Sequence, residues 1–88
     1  MRILNHYVES SVFLTKEELH RLKTKFTAEG LGDLLKNELN KLELVSTYII
    51  DVSFSGGYIG IEGDWLESGI IKKTVLQTLK KALELNHK

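Results

Sequence analysis

Apolar and polar residues alternate most regularly between Thr47 and Glu62, in two runs that flank Gly56-Gly57. Two glycines accept the positive φ angles of a two-residue turn, so this pattern predicts a β-hairpin closed at the glycine pair. Side chains alternate between the two faces of a strand. The predicted register, with Ser55 opposite Tyr58, therefore separates an apolar face from a mostly polar one. The apolar face carries Tyr48, Ile50, Val52, Phe54, Ile59 and Ile61, and the polar face carries Thr47, Ile49, Asp51, Ser53, Ser55, Tyr58, Gly60 and Glu62.

A capping box marks the start of a first helix. Thr15 and Glu18 have the spacing at which each side chain binds the backbone amide of the other, so the helix should begin at Lys16. Gly30 suits the left-handed position that follows a helix, so we expect the helix to end one or two residues before it. The apolar stripe of this helix is Leu19, Leu22 and Phe26.

Two further stretches show helical periodicity. Leu31 to Glu43 predicts a second helix, although one long helix bent near Gly30 is the alternative. A last helix is predicted from about Gly69 to Leu85, with Ser68 as its N-cap. The stripe predicted to be buried on this last helix contains Ile71, Val75, Leu76, Leu79, Ala82 and Leu83.

The segment before the first helix has an extended pattern. Residues 2–8 are predicted to be extended, and residues 12–14 either continue this strand or pair back on it. The predicted order is β-α-α-β-β-α, which is an α+β fold and a small two-layer sandwich. Its antiparallel sheet has three strands, or four if residues 2–14 form two, and its helices pack on one face. At 88 residues the chain is expected to form a single domain, residues 1–88.

Composition narrows the classes of function. The chain has no cysteine, so it forms no disulfide and offers no thiolate. No apolar run approaches the roughly 20 residues that span a bilayer, and the N-terminus lacks the apolar centre of a signal peptide. A cytoplasmic protein without membrane association is the expectation. Net charge is zero, yet residues 51–67 carry −4 and residues 68–88 carry +4.

Two acidic residues of the hairpin form a candidate cation site. The predicted register places Asp51 opposite Glu62, and a hard cation such as Mg²⁺ or Ca²⁺ would relieve their repulsion. The spacing matches no established loop for either cation, so a solvated acidic edge is the favoured interpretation. A small cation-dependent enzyme is therefore only the second alternative function, and no cofactor, metal site or catalytic residue is predicted. The three histidines, His6, His20 and His87, show no metal-ligand spacing.

Lysines of the last helix suggest a different alternative. Lys73, Lys80 and Lys81 form a possible surface for nucleic-acid phosphates. No arginine or interleaved aromatic residue accompanies them for reading or stacking bases. A solvated helix face is favoured over this nucleic-acid-binding function.

Two residues of the hairpin region bear on its packing. Gly60 lies within a strand, where glycine often marks a bulge or the close approach of another backbone. Trp65 has the same parity as Ile59 and Ile61, which predicts that it caps the core side of the hairpin.

The leading prediction is a non-catalytic protein-protein interaction module. A two-layer fold leaves one sheet face uncovered, and edge strands need a partner, a cover or charge. The chain is therefore expected to self-associate as a homodimer, or to bind another protein, through this face and the hairpin edge. The residues assigned to the interaction surface are Ile49, Asp51, Tyr58, Gly60 and Glu62.

Overall fold

The computed structural model describes residues 7–84 and confirms the predicted fold class and order of elements. The elements are β1 (Tyr7–Phe13), α1 (Lys16–Lys25), α2 (Ala28–Asn40), β2 (Tyr48–Ser53), β3 (Tyr58–Asp64) and α3 (Ser68–Glu84). The three strands form an antiparallel sheet in the order β1-β3-β2, with the helices packed on it. Within the described residues the N-terminal segment is one strand. Residues 2–6 of the predicted strand and the predicted helix end at Leu85 lie outside the described residues.

The register of the hairpin differs from the predicted one by two residues. Tyr58 pairs with Ser53, where the predicted register paired it with Ser55. A shift of two residues leaves every side chain on its own face, so the apolar pattern is the same in both registers. The assignment of residues to faces was therefore right, and the pairing was wrong.

The loop of the hairpin explains this difference. It contains four residues, 54–57, and Gly57 is the one glycine in the described residues with a positive φ, at 74°. The Gly57 amide donates to the Ser53 carbonyl over 2.9 Å, and the Gly56 amide donates to Ser53 Oγ over 3.0 Å. The side chain and the carbonyl of Ser53 thus accept from both glycines of the loop, and these hydrogen bonds favour the four-residue loop over the predicted two-residue turn.

The predicted capping box is present, but the boundary between the first two helices lies earlier than expected. Thr15 Oγ1 accepts from the Glu18 amide at 3.1 Å, and the Glu18 carboxylate accepts from the Thr15 amide at 2.9 Å. Phe26 is extended and ends α1. Thr27 then caps α2, because its hydroxyl accepts from the Gly30 amide at 2.9 Å. Gly30 therefore lies inside α2, and the predicted break or bend at this glycine was wrong.

The ends of the other helices also differ slightly from prediction. α2 ends at Asn40, three residues before Glu43, which has a positive φ of 55°. Ser68 is the first residue of α3 and not its N-cap, since its hydroxyl donates to the Trp65 carbonyl over 3.1 Å.

One hydrophobic core lies between the sheet and the helices. α2 packs on β2, and α3 packs on β3 and α2. The fully buried side chains come from β3 and all three helices: Leu22, Leu31, Leu35, Leu39, Ile59, Ile71 and Val75. No helix within residues 7–84 is both long and apolar enough to cross a bilayer.

Two apolar residues predicted to be buried are exposed. Leu76 of α3 is 46% exposed because it lies toward β1, where the helix layer ends. Trp65 is 51% exposed because β3 ends at Asp64, so strand parity no longer fixes the direction of the residue that follows.

Candidate functional site

The sheet face opposite the helices is the candidate site, and we call it the open face. It is formed by the odd-numbered residues of β1 and β2 and the even-numbered residues of β3. It carries four carboxylates and no lysine, arginine or histidine. Its members are Tyr7, Glu9, Ser11 and Phe13 of β1, Ile49, Asp51 and Ser53 of β2, and Tyr58, Gly60, Glu62 and Asp64 of β3. All five residues that the sequence assigned to an interaction surface lie on this face.

A trough of about 490 Å³ crosses the centre of the open face. Gly60 lies in the central strand, between Ser11 on one side and Asp51 on the other. Because Gly60 has no side chain, the surrounding side chains enclose a depression above it. Its walls include Glu9, Ile49, Tyr58 and Glu62.

Gly60 is not a point of close approach. A Cβ atom at Gly60 would lie 3.7 Å from Cβ of Asp51 and 3.8 Å from Cε1 of Tyr58, which are ordinary van der Waals distances. Within β3 the close approach is instead at Gly63, where a Cβ would lie 2.9 Å from Cδ1 of Ile71. Gly60 therefore shapes the surface of the sheet, whereas Gly63 serves its packing against α3.

The carboxylates of the open face are arranged differently from the prediction. Asp51 lies opposite Gly60, and the residues that flank Glu62 are Ile49 on β2 and Glu9 on β1. Glu9 was missed because the sequence did not show which strand would pair with β1. The pKa of Glu62 is raised, first by the hydrogen bond with the Glu9 side chain, then by desolvation and by the negative charge of Glu9.

This raised pKa gives a testable dependence on pH. The folded state favours protonated Glu62, so this contribution is fully present below the ordinary pKa of 4.5 and is lost as pH rises through the raised value. At pH 7 we expect Glu62→Gln to unfold at higher urea concentration than the wild type. The difference should shrink as pH falls through the raised pKa of Glu62 and be small below 4.5, because wild-type Glu62 is then neutral too.

Asp51→Asn is the matched control, because Asp51 faces Gly60 and not another carboxylate. It should give a smaller gain at pH 7. A Glu62→Gln protein less stable than the wild type at pH 7 would show that the Glu9–Glu62 pair is not repulsive.

Aromatic residues close the two ends of the open face. At one end the Tyr7 hydroxyl and Thr47 Oγ1 are hydrogen-bonded at 2.8 Å, across Asp64 of the central strand. At the other end the rings of Phe13 and Tyr58 are tilted, with centroids 6.3 Å apart. Phe13 is nevertheless 76% exposed, so most of its surface is available to a partner.

The hairpin edge of the sheet is β2, and it lies beside α2. Tyr48 Oη donates to Asn40 Oδ1 over 2.8 Å and also lies 3.3 Å from the Lys36 carbonyl. Burial raises the pKa of Tyr48, in keeping with its contact with this helix. The other edge, β1, is the more open of the two.

Glu67 also belongs to the acidic segment of the sequence but has a structural role. Its carboxylate accepts from the amides of Val45 and Ser46, at 2.9 and 3.1 Å, and from the Ser46 hydroxyl. Its pKa is lowered, first by the Ser46 side chain and then by the Val45 amide. Glu67 thereby ties the loop before β2 to the start of α3, away from the open face.

The three lysines of the alternative nucleic-acid surface, Lys73, Lys80 and Lys81, are exposed on α3. The structure adds two basic residues that the sequence did not connect with this helix. Arg21 Nη2 donates to the Leu83 carbonyl over 3.4 Å, and Lys25 Nζ donates to the Ala82 carbonyl over 2.7 Å. Both cations therefore satisfy carbonyl groups at the C-terminal end of α3.

The structure does not contain the pair of opposed carboxylates on which the candidate Mg²⁺ or Ca²⁺ site depended. That site required Asp51 opposite Glu62, and these residues are not directly opposed. Among the described residues, no group of three or more histidine, aspartate or glutamate side chains is placed to hold a metal ion. His20 is exposed on α1, and His6 and His87 lie outside the described residues.

Comparison with known proteins adds no relative: no protein-family model, curated protein or solved structure matched this chain.

Proposed function

We propose that this protein is a non-catalytic interaction module that binds a basic segment of another protein on its open face. The observation that carries the proposal is the open face itself, with four carboxylates and no basic residue, left uncovered by the three helices. We place this module in the cytoplasm, where a chain without cysteine needs no disulfide for its stability.

The negative charge of the open face favours a positively charged partner. Within residues 7–84 the one ion pair joins Lys41 to Glu38 at the C-terminal end of α2, so no described cation is paired with a carboxylate of the open face. Two copies of this face would bring like charges together, whereas a lysine- or arginine-bearing segment would be attracted to it. Complementary charge of this kind mainly raises the association rate and the specificity of binding.

Apolar side chains on the same face supply the rest of the contact. Ile49 is 58% exposed and lies beside Glu62, and Phe13 lies beside Tyr58. Lysine and arginine have long apolar stems, which pack on such side chains while their charged groups reach the carboxylates. The trough above Gly60 offers the place where one such side chain is accommodated.

The test is selection of peptides from a random displayed library on the immobilised protein. Selected peptides are expected to be rich in lysine or arginine with an apolar neighbour, and to bind more weakly as salt rises. NMR titration with a selected peptide should shift the amides of Ser11, Ile49 and Gly60.

Gly60→Thr is the decisive variant. Threonine favours strands, and a Cβ at this position meets only ordinary contacts, so the variant should be at least as stable as the wild type. Its side chain occupies the floor of the trough, so peptide affinity should fall by about tenfold or more. Unchanged affinity, or a selection without basic residues, would contradict the proposal.

A pair of lysine substitutions tests whether the peptides bind on the lysine-bearing face of α3 instead of the open face. Lys80→Glu with Lys81→Glu should leave peptide binding on the open face unchanged. If the same pair instead abolishes peptide binding, or if the library peptides shift the amides of Lys73 and Lys80, the open face is not the binding surface.

A further inference from the structure

The outer edge of β1 presents a row of backbone groups to solvent. The Leu14 amide donates to the Gly57 carbonyl over 2.9 Å, one step beyond the last strand pair, Phe13 with Tyr58. Hydrogen-bonding groups alternate in direction along a strand, so the even-numbered residues of β1 point their amides and carbonyls toward β3. The odd-numbered residues Tyr7, Glu9, Ser11 and Phe13 point theirs outward, and no other described residue makes a backbone hydrogen bond with them.

The helix side of this edge is apolar and incompletely covered. Val8 points toward the helix side of the sheet and is nevertheless 39% exposed. A groove of about 200 Å³ runs beneath the edge, between β1 and α3, and Val12, Leu14 and Leu76 are among the residues that line it. Leu76 is the α3 residue predicted to be buried and found exposed. The core thus continues to the edge of the sheet and lacks a cover there.

The sequence of β1, YVESSVF, is nearly symmetric about Ser10. If a second copy pairs antiparallel with Ser10 opposite its own counterpart, Val8 faces Val12 and Tyr7 faces Phe13. Glu9 then faces Ser11, so the two Glu9 carboxylates are not directly opposed. The outward hydrogen-bonding groups of odd-numbered residues also face one another, as an antiparallel ladder requires.

Neighbouring symmetric registers fit less well. Centring the pair on Glu9 sets two carboxylates directly opposite each other, which is unfavourable. Centring it on Ser11 moves Tyr7 beyond the end of the partner strand and sets Glu9 against Phe13. The register centred on Ser10 alone pairs all residues of β1 with strand residues.

We propose that this protein forms a homodimer through antiparallel pairing of β1 with β1 of a second copy, with Ser10 at the two-fold axis. The two sheets join into one of six strands, with both sets of helices on the same side. Val8 of the second copy lies beside Val12 and extends the apolar contact toward the groove. The interface uses the outer edge of β1 and leaves the trough above Gly60 uncovered, so this inference is tested separately from the peptide-binding function.

Analytical ultracentrifugation over a concentration series tests the dimer. We expect a reversible monomer–dimer equilibrium, because one strand pair with its groove contacts involves fewer residues than the roughly 20–30 per side of a standard interface. Val8→Lys places a charge against Val12 and should weaken the dimer by about a hundredfold, about tenfold for each valine lost. Val8 lies at the exposed start of β1, so the monomer should stay folded by circular dichroism.

Ile49→Lys is the matched control, since it adds the same charge on an exposed strand residue of the open face. It should leave the dimer intact. A strict monomer at several hundred micromolar, a dimer unaffected by Val8→Lys, or a dimer lost on Ile49→Lys would each overturn the proposal. The monomeric Val8→Lys protein should still bind the selected basic peptides.

Cysteine cross-linking tests the register directly, because the natural chain contains no cysteine. At the axis the two Ser10 residues form a non-hydrogen-bonded pair, in which the Cα atoms lie about 4.5 Å apart and a disulfide fits. Under mild oxidation Ser10→Cys should give the covalent dimer at least about tenfold faster than Ser11→Cys. Faster cross-linking of Ser11→Cys would place the axis elsewhere and refute this register.

Discussion

Replacing Ile59 with alanine is expected to lower the free energy of unfolding by about 2–5 kcal/mol, the largest loss from any single truncation of β3. Ile59 is fully buried at the centre of the sheet, with Val12 opposite it on β1 and Val52 opposite it on β2. Truncation leaves a cavity that both neighbouring strands and the helices above would have to close. A chain of this length has a total stability of about 4–13 kcal/mol, so the variant should unfold at markedly lower urea concentration.

Ile49→Ala provides the matched comparison. Ile49 is the same residue type in the adjacent strand, but it lies on the open face and is 58% exposed. Its truncation should cost less than about 1 kcal/mol, since little surface is buried there. Equal losses for the two variants would mean that both faces of the sheet are covered in solution.

Ile59 and Ile49 also show what the sequence determines in the hairpin. The alternation of apolar residues assigned both to their correct faces, because the burial of one face depends only on parity. Pairing depends on the length of the turn, and two registers separated by two residues have identical faces. The four-residue loop is set by Ser53, whose side chain and carbonyl accept from Gly56 and Gly57, and no periodic pattern shows such local hydrogen bonds.

For the candidate site, too, the sequence predicted which residues share a face but not which strands are neighbours. Ile49, Asp51, Tyr58, Gly60 and Glu62 were assigned to the polar face from the hairpin alone, and the structure places them around one trough. The contribution of β1, including Glu9, was not predictable. Strand order is a long-range property, and β1 is separated from its partner β3 by two helices and β2.

A comparable limit applies to the helices. Thr15 with Glu18 is a reciprocal pair, and its signal was strong enough to fix the start of α1. Thr27 caps α2 without a reciprocal side chain, because the residue three positions later is Gly30, so the sequence showed no capping box at this boundary. Leu76 is exposed because it lies near the edge of the sheet, where little covers it. Periodicity shows which residues share one face of a helix, but it does not show where the sheet beneath that face ends.

Gly63→Ala should destabilise the protein by about 1–3 kcal/mol, the cost of overpacking a filled core. Gly63 is buried in the central strand, and a Cβ there would lie 2.9 Å from Cδ1 of Ile71, closer than two carbon atoms approach. Ile71 is fully buried, so its side chain has little room to move aside. Gly60→Ala, the same substitution three residues earlier on the opposite face, should not destabilise the sheet, because its new methyl group meets only ordinary contacts.

A double-mutant cycle tests the assigned cause of that loss. Ile71→Val removes the Cδ1 atom that the new methyl group would meet, and alone it should cost about 0.5–1.5 kcal/mol. If the contact between Gly63 and Ile71 is responsible, the double variant should be more stable than the sum of the single losses predicts, by about 0.5–3 kcal/mol. Urea unfolding of the four proteins measures this coupling. If the losses in the free energy of unfolding are strictly additive, the effect of Gly63→Ala does not come from contact with Ile71. Gly63 would then matter for the backbone conformation of β3, and not for the close packing of α3 on the sheet.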